Sequence, residues 1–245
     1  FPNHHPDPGK LENLEDIISE VKKHNADIGF AFDGDGDRVG LITNKGEMIF
    51  PDKQMMLFSE DILKEKVGGI VFDVKCSNHL ENIISSNGGS PIMSPTGHFH
   101  IKNAIKKNNA LLGGEMSGHH YFRDFYYSDS GMIPWLLLLQ SISESGKTLS
   151  ELVSERVSKF PISGEINTTV ANPQQLLETI KSHYQQYDPT IDDLDGYSFD
   201  FKTWRFNLRM SNTEPLVRLN VESRENQKLM EEKTKEILGF IDLHK

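Results

Sequence analysis

A chain of 245 residues, 36% hydrophobic and 25% charged, is long enough to bury more than one core and has no collagenous, disordered or membrane composition. Its formal net charge of -10 excludes a general binder of nucleic acid or of an anionic membrane, since both need a basic face. The longest apolar run, around Trp135 to Leu139, is far too short to span a bilayer. The single Cys76 cannot close an internal disulfide, which fits a reducing compartment and makes the cytoplasm the expected location. The chain opens on Phe1-Pro2-Asn3-His4-His5-Pro6 with no initiator methionine, so the expectation is that a segment upstream has been removed.

From Leu11, the apolar positions Leu14, Ile17, Ile18 and Val21 recur at helical spacing, and a strand is expected over Asp27 to Phe32. A second strand, Val39 to Thr43, turns at Asn44-Lys45-Gly46 into Glu47 to Phe50, and Pro51-Asp52 start a helix running towards Lys66. Next come a strand at Ile70 to Val74, a helix through Leu80 to Ser86 stopped by Asn87-Gly88-Gly89, a short strand near Ile92, a helix from about Phe99 and a strand at Ala110 to Leu112. This alternation predicts α/β architecture, with βαβ units on a mainly parallel sheet and ligand sites in the loops beyond the strand carboxyl ends. A long helix is expected over Gly131 to Ser145, and Thr148 with Glu151 has the spacing of a capping box for another. Beyond a hinge expected at Ser158 to Pro161 the rhythm changes to that of an α+β domain. It reads as strand Glu165 to Val170, helix Gln174 to Tyr187, a solvated acidic loop over Asp188 to Asp195, three strand-like runs and a helix from Glu225 to Ile241.

The segment Phe32-Asp33-Gly34-Asp35-Gly36-Asp37-Arg38 places three carboxylates at alternate positions after a strand, among glycines that let the backbone curl round an ion. Close carboxylates repel unless a cation sits among them, and an all-oxygen set selects a hard ion: Mg²⁺, with Ca²⁺ or Mn²⁺ as alternatives, rather than zinc. A calcium hand fails, because its sixth position needs Gly and its twelfth Glu, where this loop has Arg38 and Asn44. Bound Mg²⁺ completes its sphere with water or a phosphoryl oxygen, and Arg38 is expected to face that same phosphoryl group. In the glycine-flanked loop Gly113-Gly114-Glu115-Met116-Ser117-Gly118-His119, the residues Glu115, Ser117 and His119 suit adjacent sugar hydroxyls. Arg209, Ser211, Asn212 and Thr213, ahead of Pro215, combine a forked cation, hydroxyls and N–H groups in the manner of a phosphate cradle.

Read together, these three motifs, in this order and spacing, resemble the α-D-phosphohexomutases. The opening Phe-Pro-Asn-His-His-Pro-Asp-Pro and the stretch Phe72-Asp73-Val74-Lys75-Cys76 resemble their phosphomannomutase/phosphoglucomutase branch, so the resemblance covers the whole chain. It implies the end of metal-binding domain 2 at 1–47, a complete sugar-binding domain 3 with a mixed or parallel sheet at 48–158, and a TBP-like phosphate-binding domain 4 at 159–245. It further implies Mg²⁺ on Asp33, Asp35 and Asp37, and catalytic roles for Arg38 and for His98, the latter in proton transfer or on the transferring phosphate. Substrate contacts would come from Lys75, Glu115, Ser117, His119, Arg209, Ser211, Asn212 and Thr213, and Met116 resembles the mannose/glucose members. The implied activity interconverts the 1- and 6-phosphates of mannose or glucose through a phosphoserine and a bisphosphorylated sugar. The family's serine loop, typically Thr-Ala-Ser-His-Asn-Pro, does not occur in these 245 residues. The chain is therefore expected to need an amino-terminal domain carrying that loop and to be inactive alone; a non-catalytic sugar-phosphate-binding module is the alternative.

Overall fold

Acidic Glu15 and Asp16 in the first turn and Lys22, Lys23 and His24 in the last complement the dipole of α1 (Glu15–His24), which follows a short 3-10 turn at Leu11–Leu14. Helix α1 sets buried Val21, with Ile17 and Ile18, against an antiparallel sheet of β1 (Ile28–Phe32), β2 (Val39–Thr43) and β3 (Met48–Ile49). The computed structural model describes residues 1–211 and 214–244, apart from the side chains of residues 155 and 157. Two compact units divide the chain, Phe1–Arg156 and Val157–Lys245.

In the first unit, Pro51 opens α2 (Pro51–Glu65), which is followed by β4 (Gly69–Asp73), α3 (Asn78–Ser86), β5 (Ser90–Ser94), α4 (His98–Asn108) and β6 (Leu112–Gly114). The hairpin strands β7 (His120–Phe122) and β8 (Ser128–Asp129), the helix α5 (Met132–Ser145) and most of the helix α6 (Leu149–Lys159) complete the unit. The second sheet has the order β5-β4-β6-β7-β8, with β4 parallel to both β5 and β6 but β6, β7 and β8 antiparallel. The sheet is thus mixed. A parallel return needs a crossover of a dozen or more residues. Glu115–Gly118 is instead a tight turn in which the Gly118 amide donates to the Glu115 carbonyl at 3.0 Å, so the chain doubles straight back. Strands of two and three residues carry too little pattern to be seen in the sequence. Buried Met55, Phe58, Leu63, Ile70, Phe72, Leu80 and Leu112 belong to the core under this sheet. Gly114 lets the sheet and helix approach closely there: a Cβ would lie 2.3 Å from Met55 Sδ, so the buried Met55 side chain would have to shift. Cys76, 1% exposed, packs in the same core.

The second unit holds β9 (Ile166–Thr169), α7 (Pro173–Gln185), β10 (Thr190–Asp192), β11 (Tyr197–Asp200), β12 (Trp204–Met210), β13 (Leu216–Ser223) and α8 (Gln227–Leu243). Its sheet is antiparallel in the order β10-β11-β12-β13-β9. Asn172 and Asn226 cap the two helices by accepting the amides of Gln175 and Leu229. Two sequence expectations change. The acidic stretch Asp188 to Asp195 is not all loop: Ile191 pairs with Phe199 and makes an edge strand whose single apolar residue is hidden among aspartates. Ser158 and Lys159, half of the expected hinge, end helix α6. Among the described residues, no helix is long and apolar enough to cross a membrane.

Phe206, 1% exposed and stacked on Phe199 at 4.6 Å, is the centre of the second unit's core. Phe206→Ala is expected to cost about 3–5 kcal/mol, measured as a lower urea midpoint for loss of amide-exchange protection in β12; an unchanged midpoint would contradict the core assignment.

Candidate functional site

The carboxylate loop joins the antiparallel pair β1 and β2, where Phe32 faces Val39, and Gly36 at φ +76° makes the left-handed turn. Asp33 braces it: Oδ1 accepts the amides of Gly36 and Arg38, both at 3.1 Å, and Oδ2 accepts Arg38 Nε at 2.8 Å. Burial opposes its ionisation, but the Arg38 guanidinium and amide outweigh that and hold the carboxyl below its ordinary range. Arg38 also donates through Nη1 to Asp7 at 3.1 Å. The guanidinium that the sequence assigned to a phosphoryl group is therefore also a clamp between two aspartates.

One carboxylate oxygen from each of Asp33, Asp35 and Asp37 lies within 4.8 Å of the others, and Asp37 forms a second such group with His119 and Asp129. Asp37 Oδ1 is a buried oxygen with no hydrogen-bond partner among the described residues. Burial first, then the neighbouring Asp33, Asp35 and Asp129 carboxylates, push Asp37 up to about 6. Three carboxylates that converge in this way, one of them with an oxygen that accepts no hydrogen bond, fit a hard divalent cation such as Mg²⁺.

The loop from Gly113 to His119 lies against this one. Arg38 and His119 form a β-bridge, and His119 sits with Nδ1 at 2.8 Å from Ser117 Oγ and Nε2 at 3.4 Å from Asp37 Oδ1. Burial lowers the His119 pKa, against the pull of Glu115, so its imidazole is neutral at neutral pH. Glu115, 3% exposed, accepts the Tyr121 hydroxyl at 2.5 Å and faces Ser117 Oγ at 3.4 Å. Burial and that carboxylate push the Tyr121 pKa up, so its hydroxyl stays the donor. His98, at the start of α4, places Nε2 at 3.1 Å from Asp129 Oδ2 and its ring edge-on to Tyr121. Lys75 follows β4, 8% exposed, with Nζ 3.8 Å from Asp73 Oδ2. His120 is a core residue: fully buried, pushed down to about 3 by burial, with Nδ1 at 3.1 Å from the Gly118 carbonyl.

In the second unit Arg209, next to last in β12, stands directly opposite Arg218 on β13. Such a like-charge pair is unfavourable by itself. Glu165 bridges it, accepting Arg209 Nη2 at 3.2 Å and Arg218 Nη1 at 3.1 Å, while Arg218 Nη2 lies 3.4 Å from Ser211 Oγ. Asn212 and Thr213, the remaining residues of the expected cradle, lie outside the described residues. Sequence reasoning did not single out Asp7, Asp73, Tyr121, Asp129 or Arg218 for the site. Asp7 and Asp73 lay within stretches that carry the resemblance, and Arg218 showed as a charge alternating with apolar residues along a strand.

Since Asp37 must be ionised to bind a cation and titrates near 6, cation affinity is expected to fall as pH drops through that value. Mn²⁺ titrations between about pH 5 and pH 7.5 check this. A flat affinity across that range would contradict a ligand role for Asp37.

Models of the phosphoglucomutase/phosphomannomutase family match residues 1–46 as alpha/beta/alpha domain II, 50–160 as alpha/beta/alpha domain III and 165–238 as the C-terminal domain. The phosphomannomutase of Escherichia coli (strain K12) is 46% identical over 243 residues, 99% of this chain and 53% of that protein. A phosphomannomutase of Methanocaldococcus jannaschii is 43% identical over 242 residues, 98% of this chain and 53% of that protein. The crystal structure of a phosphoglucomutase/phosphomannomutase family protein from Burkholderia thailandensis matches with a TM-score of 0.86 at 33% identity, covering 99% of this chain and 52% of that one. The chain spans about half the length of the curated relatives it matches. With three successive domain models and both kinds of likeness in agreement, the chain belongs to the phosphoglucomutase/phosphomannomutase family.

Proposed function

We propose that this chain supplies the metal-, sugar- and phosphate-binding parts of a phosphohexomutase that interconverts the 1- and 6-phosphates of mannose or glucose. The observation that carries this reading is the join of two loops, in which His119 stands between Ser117 and the carboxylate Asp37. Hydroxyl-reading groups beside a cation site suit a sugar whose phosphoryl group is being transferred. On this reading the domains divide at 1–47, 48–158 and 159–245, and the setting is the cytoplasm.

Mg²⁺, held by Asp33, Asp35 and Asp37, would neutralise charge on a phosphoryl oxygen. Arg38, fixed through Nε and Nη1, keeps Nη2 for the same oxygen set. Glu115 and Ser117 hold adjacent hydroxyls, with Tyr121 already occupying one Glu115 oxygen and so limiting how the carboxylate turns. His98, with Nε2 on Asp129, accepts or donates a proton at Nδ1. Lys75 contacts substrate, and Arg209, Ser211, Asn212 and Thr213 form a cradle for a phosphate. The reaction runs through a bisphosphorylated sugar and a phosphoserine. We assign that serine to a segment outside these 245 residues.

Arg209→Ala is expected to weaken mannose 1-phosphate binding by about 1.5–3 kcal/mol in calorimetry; unchanged affinity would remove the cradle assignment. The function itself is tested by following mannose 1-phosphate to mannose 6-phosphate with Mg²⁺ and a hexose bisphosphate, with and without an amino-terminal piece carrying the serine loop. Turnover only on complementation is expected. Turnover by the chain alone would place the nucleophile within it, whereas none in either case, with hexose phosphate still bound, would indicate a binding module.

A further inference from the structure

Asp73 ends β4 fully buried, and a carboxylate so placed is tolerated only when its oxygens are satisfied. Its partners come from two loops. Oδ1 accepts the Lys75 amide at 2.9 Å and the Cys76 thiol at 3.7 Å. Oδ2 accepts the Met116 amide at 3.1 Å and lies 3.8 Å from Lys75 Nζ. Met116 stands between Glu115 and Ser117. The pairing of Phe72 with Gly114 across parallel β4 and β6 explains the reach, since Asp73 and Glu115 leave the sheet side by side at its carboxyl edge.

We infer that Asp73 is a positioning residue for substrate, one carboxylate that holds the Lys75 turn and the Glu115–Ser117 loop in a fixed register. The inference rests on the sugar-phosphate reading of those two loops. A hexose phosphate fixes the separation between its phosphate and its hydroxyls, so a cationic group and a hydroxyl-reading group serve it only at a matching spacing. Misplacement by about 1 Å costs on the order of a hundredfold in such sites. Asp73 is suited to the task chemically because it accepts one backbone amide from each loop, Lys75 on Oδ1 and Met116 on Oδ2, and sets its charge 3.8 Å from the Lys75 ammonium. In Asp73→Asn the amide NH₂ would confront the Met116 N–H, donor against donor, while the remaining oxygen could still serve Lys75.

The test uses the 245-residue chain with mannose 1-phosphate, Mn²⁺ and amide hydrogen exchange. For Asp73→Asn the expected result is about a tenfold or greater loss of mannose 1-phosphate affinity. Mn²⁺ affinity should stay within about twofold, and exchange at Met116 should quicken while β12 remains protected. Retained sugar-phosphate affinity overturns the inference. So does a loss that comes only with equal loss of Mn²⁺ binding and of protection throughout, since Asp73 would then be structural alone. If the Asn variant does not fold, Asp73→Ser separates the two arms: it can still accept the Lys75 amide but is too short to reach Met116, and the same outcomes apply. If the unaltered chain binds no mannose 1-phosphate, the proposed function fails. Exchange then decides the register claim by itself: faster exchange at Met116 upholds the link between the loops, and unchanged exchange overturns it.

Discussion

Mutual repulsion among the carboxylates of the β1–β2 loop is the constraint on which the rest of the first unit depends. Two unit charges about 4 Å apart repel by about 4 kcal/mol at an effective dielectric of about 20. Asp33, Asp35 and Asp37 come within such range of one another, and Asp129 adds to the field at Asp37. Arg38 offsets one of these charges through its bond to Asp33. Burial first, and then the remaining repulsion, push the Asp37 carboxyl up to about 6. Backbone geometry keeps the loop together against this repulsion. Antiparallel pairing on both sides, the left-handed Gly36 and the two amides on Asp33 Oδ1 fix the turn before any ion is considered.

The second unit presents the opposite arrangement. Arg209 and Arg218 face each other across β12 and β13, and Glu165 is shared between their guanidiniums. Buried Arg209 Nε and Arg218 Nε have no hydrogen-bond partner among the described residues. One unit thus concentrates anionic groups suited to a divalent cation, and the other concentrates cationic donors suited to an anion. Within the first unit, Glu115, Ser117 and Tyr121 add a hydrogen-bonding cluster in which the Tyr121 hydroxyl donates to Glu115 and Ser117 Oγ lies 3.4 Å from the same carboxylate.

What the sequence disclosed was local. Alternating carboxylates with glycines, the Glu115–Ser117 loop and the Arg209 turn are each contiguous, so they stood out by spacing alone as candidates. The helices were legible because their apolar residues recur over several turns, as at Leu14, Ile17, Ile18 and Val21. Partners brought together by the fold were not legible. Asp7 meets Arg38 across 31 residues, Asp129 meets His98 across 31 and Asp73 meets Met116 across 43. Each is an ordinary aspartate in its own neighbourhood. Strands β7, β8 and β10 are too short to show a period, which is why the sheet read as mainly parallel and the Asp188 to Asp195 stretch as a loop.

The most direct measurement is the anomalous scattering of Mn²⁺ in crystals of this chain grown near neutral pH. The account predicts a peak coordinated by Asp33, Asp35 and Asp37, lost in Asp35→Asn crystals that keep the same loop backbone. A peak held by Asp37, His119 and Asp129 with Asp33 and Asp35 uncoordinated, or no peak at the loop, would contradict the claim that the alternating carboxylates form the cation site.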